Sequence, residues 1–245
     1  MNTRQGEVSP HNWTRREWFG MIGGVAVASV ALGKYAMGVQ AFYASTPAGC
    51  VATPSPAIEE GPYFIDDKLN RSDIRPDPTT GKQSSGTPLE LTLNVVAVGK
   101  TACKPLAGAI IDVWHCDASG AYSEFKDRNF GDNRGRKFLR GFQTTDSNGV
   151  VKFTTIYPGW YPGRAVHIHY KVRTPDDKEF TSQVFFDERV TDQVHALEPY
   201  NRPGKRKMNV DDDIFREQGG KQSMFAFSSK VSGSYAANYS VGMML

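Results

Sequence analysis

With 245 residues, 39% hydrophobic and 11% aromatic, the chain is large and apolar enough for one globular domain with a full core. The formal net charge is only +3, and much of that excess sits near the start, in Arg4, Arg15, Arg16 and Lys34. A near-neutral remainder excludes a nucleic-acid footprint, and Lys205-Arg206-Lys207, followed at once by Asp211-Asp212-Asp213, reads as a solvated loop.

Residues 1–41 read as an export leader. Thr14-Arg15-Arg16-Glu17-Trp18-Phe19 is a twin-arginine pattern, an apolar run follows from Met21 to Leu32, and Val39-Gln40-Ala41 resembles a small-residue cleavage site. The run is shorter than the ~20 residues of an ordinary spanning helix, so membrane contact is expected only if the leader stays uncleaved. Location is then periplasmic or extracellular, where disulfides persist. Of the three cysteines, Cys103 and Cys116 flank one predicted strand and lie too far apart to bond. That favours Cys50 pairing with one of them.

Residues 42–88 are rich in Pro, Gly, Ser and Thr and read as an irregular arm. Within it, Glu60-Gly61-Pro62-Tyr63-Phe64 is a turn with two aromatics, either a packing plug or a substrate wall. From Leu89 the pattern changes. Leu91, Leu93, Val95 and Ala97 alternate with mostly polar neighbours, the mark of a half-buried strand. Leu106–Trp114 is a second strand, and 115–138 a long polar loop of the kind that carries function. Leu139–Thr144 and Val150–Ile156 are expected to form a hairpin about Asp146-Ser147-Asn148-Gly149. Val166–Tyr170 and Glu179–Phe186 follow as strands, and Phe225–Tyr239 offers an edge strand. No helical period stands out beyond the leader. The expected fold is all-β, an antiparallel sandwich with long irregular loops over residues 89–245.

The informative stretch is Tyr157-Pro158-Gly159-Trp160-Tyr161-Pro162-Gly163-Arg164-Ala165-Val166-His167-Ile168-His169. On a strand, His167 and His169 share one face about 7 Å apart along the backbone, and two imidazoles so placed can share a metal ion. The Pro/Gly turn brings Tyr161 and Arg164 to the head of that strand. His-x-His alone is as often a solvent-facing row as a metal site. A second cluster at Gly120-Ala121-Tyr122 strengthens the metal reading. His115 and Trp114, just before it, read as a hydrogen-bonded structural histidine and a core residue.

Taken in order, Glu60-Gly61-Pro62-Tyr63, Asp112-Val113-Trp114 with Gly120-Ala121-Tyr122, Pro158-Gly159-Trp160-Tyr161-Pro162, Arg164-Ala165-Val166-His167-Ile168-His169 and Gln183 resemble the intradiol ring-cleavage dioxygenases. The exported, compact members with Trp-His-Cys at this place are the nearest type. The resemblance implies a non-haem ferric ion held by Tyr122, Tyr161, His167 and His169. It implies cleavage of a catechol by O2, between the two oxygen-bearing carbons, to a cis,cis-muconate. Tyr161 would act as both ligand and base, Arg164 would stabilise developing negative charge, and Gln183 would assist it. Tyr63 and Trp160 would wall the substrate.

Tyr161 and His167 stand six positions apart, a shorter connection than in protocatechuate enzymes, which implies a more open pocket. The helical dimerisation region of catechol dioxygenases is not visible, so a monomer or small homo-oligomer is expected. The partners implied are a small catechol and O2, with no nucleic acid. Two rivals stand beside this reading: a non-catalytic sandwich module binding aromatic or polymeric ligands, and a copper or zinc site on the His pair.

Overall fold

The computed structural model describes residues 53–99, 103–229 and 233–244. The export leader and Cys50 lie outside the described residues. Cys103 is disulfide-bonded, and Cys116 is a buried free thiol.

Eleven strands form the described fold: β1 (Pro88–Val98), β2 (Cys103–Pro105), β3 (Ile110–Trp114), β4 (Lys126–Asp127), β5 (Gly131–Asp132), β6 (Arg140–Thr144), β7 (Val150–Ile156), β8 (His167–Arg173), β9 (Glu179–Phe185), β10 (Ala226–Ser229) and β11 (Tyr235–Met244). Two helices join them, α1 (Glu188–His195) and α2 (Asp213–Glu217), with short 3-10 turns at Asn209–Asp211 and Gly220–Gln222.

One sheet runs β6-β3-β8-β9, antiparallel throughout. The second runs β10-β11-β1-β2, with β7 also paired to β1. The apolar residues of β1 (Leu89, Leu91, Leu93, Val95) meet Ile111, Val113, Ile168, Tyr170, Val172 and Val184 of the first sheet in one core. This is the expected all-β sandwich. Among the described strands one pairing departs from the antiparallel rule, since β1 and β11 run parallel from Leu89↔Tyr235 to Val98↔Met244. Parallel neighbours need a long crossover, and here almost the whole domain supplies it.

Three local expectations need correction. First, β6 and β7 make no hairpin. The Asp146–Gly149 turn forms, with Asp146 Oδ1 accepting from the Asn148 and Val150 amides, but β6 pairs with β3 and β7 with β1, in different sheets. A turn signal reports that the chain reverses and says nothing about which strand it then pairs with. Second, the Phe225–Tyr239 segment enters two strands rather than one: β10 is the edge, as expected, but β11 lies inside it, between β10 and β1. Third, a helix, α1, forms where no helical period stands out in the sequence. Its cap is ordinary, Asp187 accepting from the Arg189 amide, with Thr191 and Val194 buried.

The 205–213 segment is not simply a solvated loop. The Asp212 side chain is 1% exposed and caps α2 through the Ile214 and Phe215 amides. Arg206 pairs with Glu188 and Asp192 of α1.

Candidate metal centre

Strand alternation on β8 sends Ile168, Tyr170 and Val172 into the core and His167 and His169 to the opposite face. Residues opposite one another in an antiparallel ladder share a face. Trp114 of β3 and Gln183 of β9 both sit opposite His169, so the three form a row across the sheet. Loops cover this row, and His167 and His169 are each no more than 2% exposed. The Trp114 indole stacks on the His169 ring at 4.9 Å and 9°. Trp114 is therefore core, as expected, and also fixes the plane of an imidazole.

Two loops bring the tyrosines. In the first, Asp117 Oδ1 accepts from the Ser119 and Ala121 amides and folds 117–121 into a tight turn ahead of Tyr122. In the second, Tyr157–Tyr161, the backbone carbonyls have named donors. The Tyr200 hydroxyl donates to the Tyr157 carbonyl, His195 Nε2 to that of Pro158, and Arg202 to that of Trp160. The loops touch where only glycine fits. A Cβ on Gly120, whose φ is +95°, would lie 2.1 Å from the Trp160 carbonyl oxygen, and one on Gly159 would lie 2.3 Å from that of Ala118.

The donor atoms converge. His167 Nε2 lies 2.9 Å from His169 Nε2 and 3.2 Å from Tyr161 Oη. The Tyr122 ring meets those of Tyr161 and His169 edge-on at 5.6 and 6.3 Å, and its buried hydroxyl has no hydrogen-bond partner. His167 Nδ1 is 2.6 Å from the Ala165 carbonyl, which can only accept, so Nδ1 carries the proton and Nε2 presents its lone pair. A histidine steadied in this way is ready to ligate.

The electrostatics agree. Burial drives both imidazoles well below their ordinary pKa, with Arg164 next, so they are neutral. Burial also raises both phenols well above theirs, and the Arg164 guanidinium opposes that rise at each. One cation thus acts on all four side chains. A metal ion fits here: nitrogens ~2.0–2.1 Å from an ion and at right angles to each other stand about 3 Å apart, and the lone pairs present are neutral imidazole and phenol oxygen, a set iron accepts. Among the described residues no three His, Cys, Asp or Glu side chains cluster as a metal site, so the oxygen ligands would have to be phenols.

Arg164 is fixed by Gln183 Oε1, which accepts from Nη2 at 2.5 Å, and by Asp212 Oδ2, which accepts from Nε at 3.0 Å. Gln183 is fully buried and donates in turn to the Glu59 carbonyl. Tyr63 lies flat on Tyr122 at 4.0 Å and 8°. The Trp160 ring lies under Arg202 at 3.7 Å and against Gly204. His115 has the structural role expected, its two nitrogens meeting the Cys116 carbonyl and the Thr155 hydroxyl.

Two residues escaped the sequence reading. Arg140 is 3% exposed and donates to the Ser123 carbonyl and hydroxyl and to the Tyr63 carbonyl, so it holds the segments bearing both stacked tyrosines. Nothing in its sequence setting marks it. Asp212 was legible, as an Asp one residue ahead of a short helix with apolar Ile214 and Phe215.

A buried cluster of two phenols and two imidazoles on an all-β sandwich defines a class of candidate metalloenzyme. Comparison narrows it. A dioxygenase family model matches residues 59–227. The intradiol ring-cleavage dioxygenase from Tetranychus urticae superposes with a TM-score of 0.71 at 34% identity, covering 78% of this chain and 95% of that one. The dioxygenase domain of a dioxygenase–carbohydrate-binding fusion from Streptomyces sp. SirexAA-E does so at 0.58 and 26%, covering 79% and 99%. The chlorocatechol 1,2-dioxygenase of Pseudomonas putida is 31% identical over 46% of this chain and 52% of its own length. The chain belongs to the intradiol ring-cleavage dioxygenase family. It spans about half the length of the curated relatives it matches.

Proposed function

We propose that this chain is a ferric dioxygenase that opens a catechol ring with O2 between the two oxygen-bearing carbons, giving a cis,cis-muconate-type product. One observation carries the reading. Tyr161 Oη and His169 Nε2 both lie within 3.2 Å of His167 Nε2, beside a buried, unpartnered Tyr122 hydroxyl. Tyr122, Tyr161, His167 and His169 would hold the ion. Bound Fe(III) would supply an electron-poor centre that draws charge from a catecholate.

The chain's own residues supply the rest. Burial makes an unbound Tyr161 phenolate a strong base, so Tyr161 Oη would take a proton from a catechol hydroxyl. Arg164, held by Gln183 and Asp212, faces the charge that develops on the substrate, a contribution of roughly 3 kcal/mol. Tyr63, Phe64 and Phe125 form an apolar surround with Tyr122 and Tyr161 that limits water. The leader motif adds export by the twin-arginine route to this proposal.

Oxygen uptake with catechol, with the product identified by mass, tests the reading. Iron-loaded protein is expected to consume one O2 per catechol and release a muconate. No uptake by protein that has bound iron, across a panel of substituted catechols, would overturn it.

A further inference from the structure

Asp212 lies in the sequence well away from every candidate ligand, yet its buried carboxylate meets the site at two points. Oδ2 accepts from Arg164 Nε at 3.0 Å and from the Ala165 amide at 2.7 Å. Oδ1 faces the other way and accepts from the Ile214 amide at 2.9 Å and the Phe215 amide at 3.4 Å. The carboxylate therefore joins the start of α2 to the segment between the Tyr161 turn and β8.

Each contact continues inward. The Arg164 guanidinium is held on Nε by Asp212 and on Nη2 by Gln183, and among the described residues Nη1 takes no acceptor. The pairing thus fixes the guanidinium plane and leaves one amine for a ligand. A carboxylate bonded to an arginine edge sets direction as well as charge. On the other side, Asp212 holds the Ala165 N–H, and the carbonyl of the same residue, one Cα further along the backbone, accepts the Nδ1 proton of His167 at 2.6 Å. That contact decides which His167 nitrogen presents a lone pair.

We propose that Asp212 is a positioning residue of the metal centre, aiming Arg164 at the substrate and, through the backbone of Ala165, holding His167 with Nε2 free to ligate. The inference rests on the functional reading above for what Arg164 and His167 do, but not for the contacts themselves. Outer partners of this kind commonly change affinity or activity by ~10- to 100-fold.

The test must separate aiming from helix capping. Asp212→Ser keeps a cap, since a serine hydroxyl accepts from the same amides, but removes the carboxylate from Arg164 and Ala165. Asp212→Thr, which caps in the same way and fills more of the space, serves the same purpose should the serine variant not fold. The first readout needs no iron. In metal-free protein labelled with 15N, NMR is expected to show a slowly exchanging Arg164 Nε–H and His167 as the Nδ1–H tautomer. Asp212→Ser should lose the protection and mix the tautomers.

The second readout is turnover in iron-loaded protein. Both variants are expected to lose kcat by ~10-fold or more, with KM for catechol changed much less. The double variant with Arg164→Gln should lose less than the product of the two single losses, because the Arg164 part of the effect is already gone and only the His167 part remains. Unchanged NMR signals in either folded variant overturn the inference. So do near wild-type kcat or losses that multiply in the double variant. If the wild type itself does not turn over, the functional reading fails, and the metal-free NMR still decides the role of Asp212.

Discussion

At the residue scale, the site turns on protonation states that burial enforces. Both phenols are held protonated and both imidazoles neutral by desolvation, so only an added cation would make the phenols anionic. Phenylalanine at either tyrosine removes one oxygen donor with little change in shape. Tyr161→Phe is expected to abolish turnover, and Tyr122→Phe to lower iron occupancy, measured by elemental analysis after dialysis.

His115 carries a separate prediction. Burial lowers its pKa from 6.5 to about 4. Between those values the unfolded chain binds a proton that the folded chain does not. Stability is therefore full above about pH 6.5 and falls as pH drops toward 4, by about 3 kcal/mol for this group. Urea unfolding of metal-free protein at a series of pH values should show the fall, with a shallower slope in His115→Asn.

At the element scale, two loops and three strands meet, and their legibility in the sequence differed for physical reasons. Alternation on β8 is local, so the shared face of His167 and His169 could be read directly. The row Trp114–His169–Gln183 depends on which strands are neighbours, and no periodicity reports that. The same gap explains the false hairpin at Asp146–Gly149 and the central place of β11. Tyr122 and Tyr161 are brought close by loop conformation, legible only through the family resemblance. The glycines are the one local trace of that approach. Gly120→Ala would meet both an unfavourable φ and the Trp160 carbonyl. The left-handed backbone alone costs ~1–2 kcal/mol. The variant should lower the thermal midpoint and weaken iron binding together.

At the scale of the whole molecule, labour is divided between sheets. The β6-β3-β8-β9 sheet carries Trp114, His167, His169 and Gln183 on its outer face, while the other sheet closes the core behind it. His115 bridges them, carried on the residue after β3 and bonded to Thr155 of β7. Leu91, fully buried on β1, belongs to the closing sheet. Leu91→Ala should cost about 2–5 kcal/mol in stability and leave kcat unchanged at temperatures where the variant stays folded. The central claim is that two phenols and two imidazoles converge on one ferric ion. Titrating metal-free protein with Fe(III) while recording the visible spectrum tests it most directly. The account predicts a tyrosinate-to-iron charge-transfer band that saturates at one equivalent and weakens in both Tyr→Phe variants. Iron bound at one equivalent with no such band, or a band indifferent to both substitutions, would contradict it.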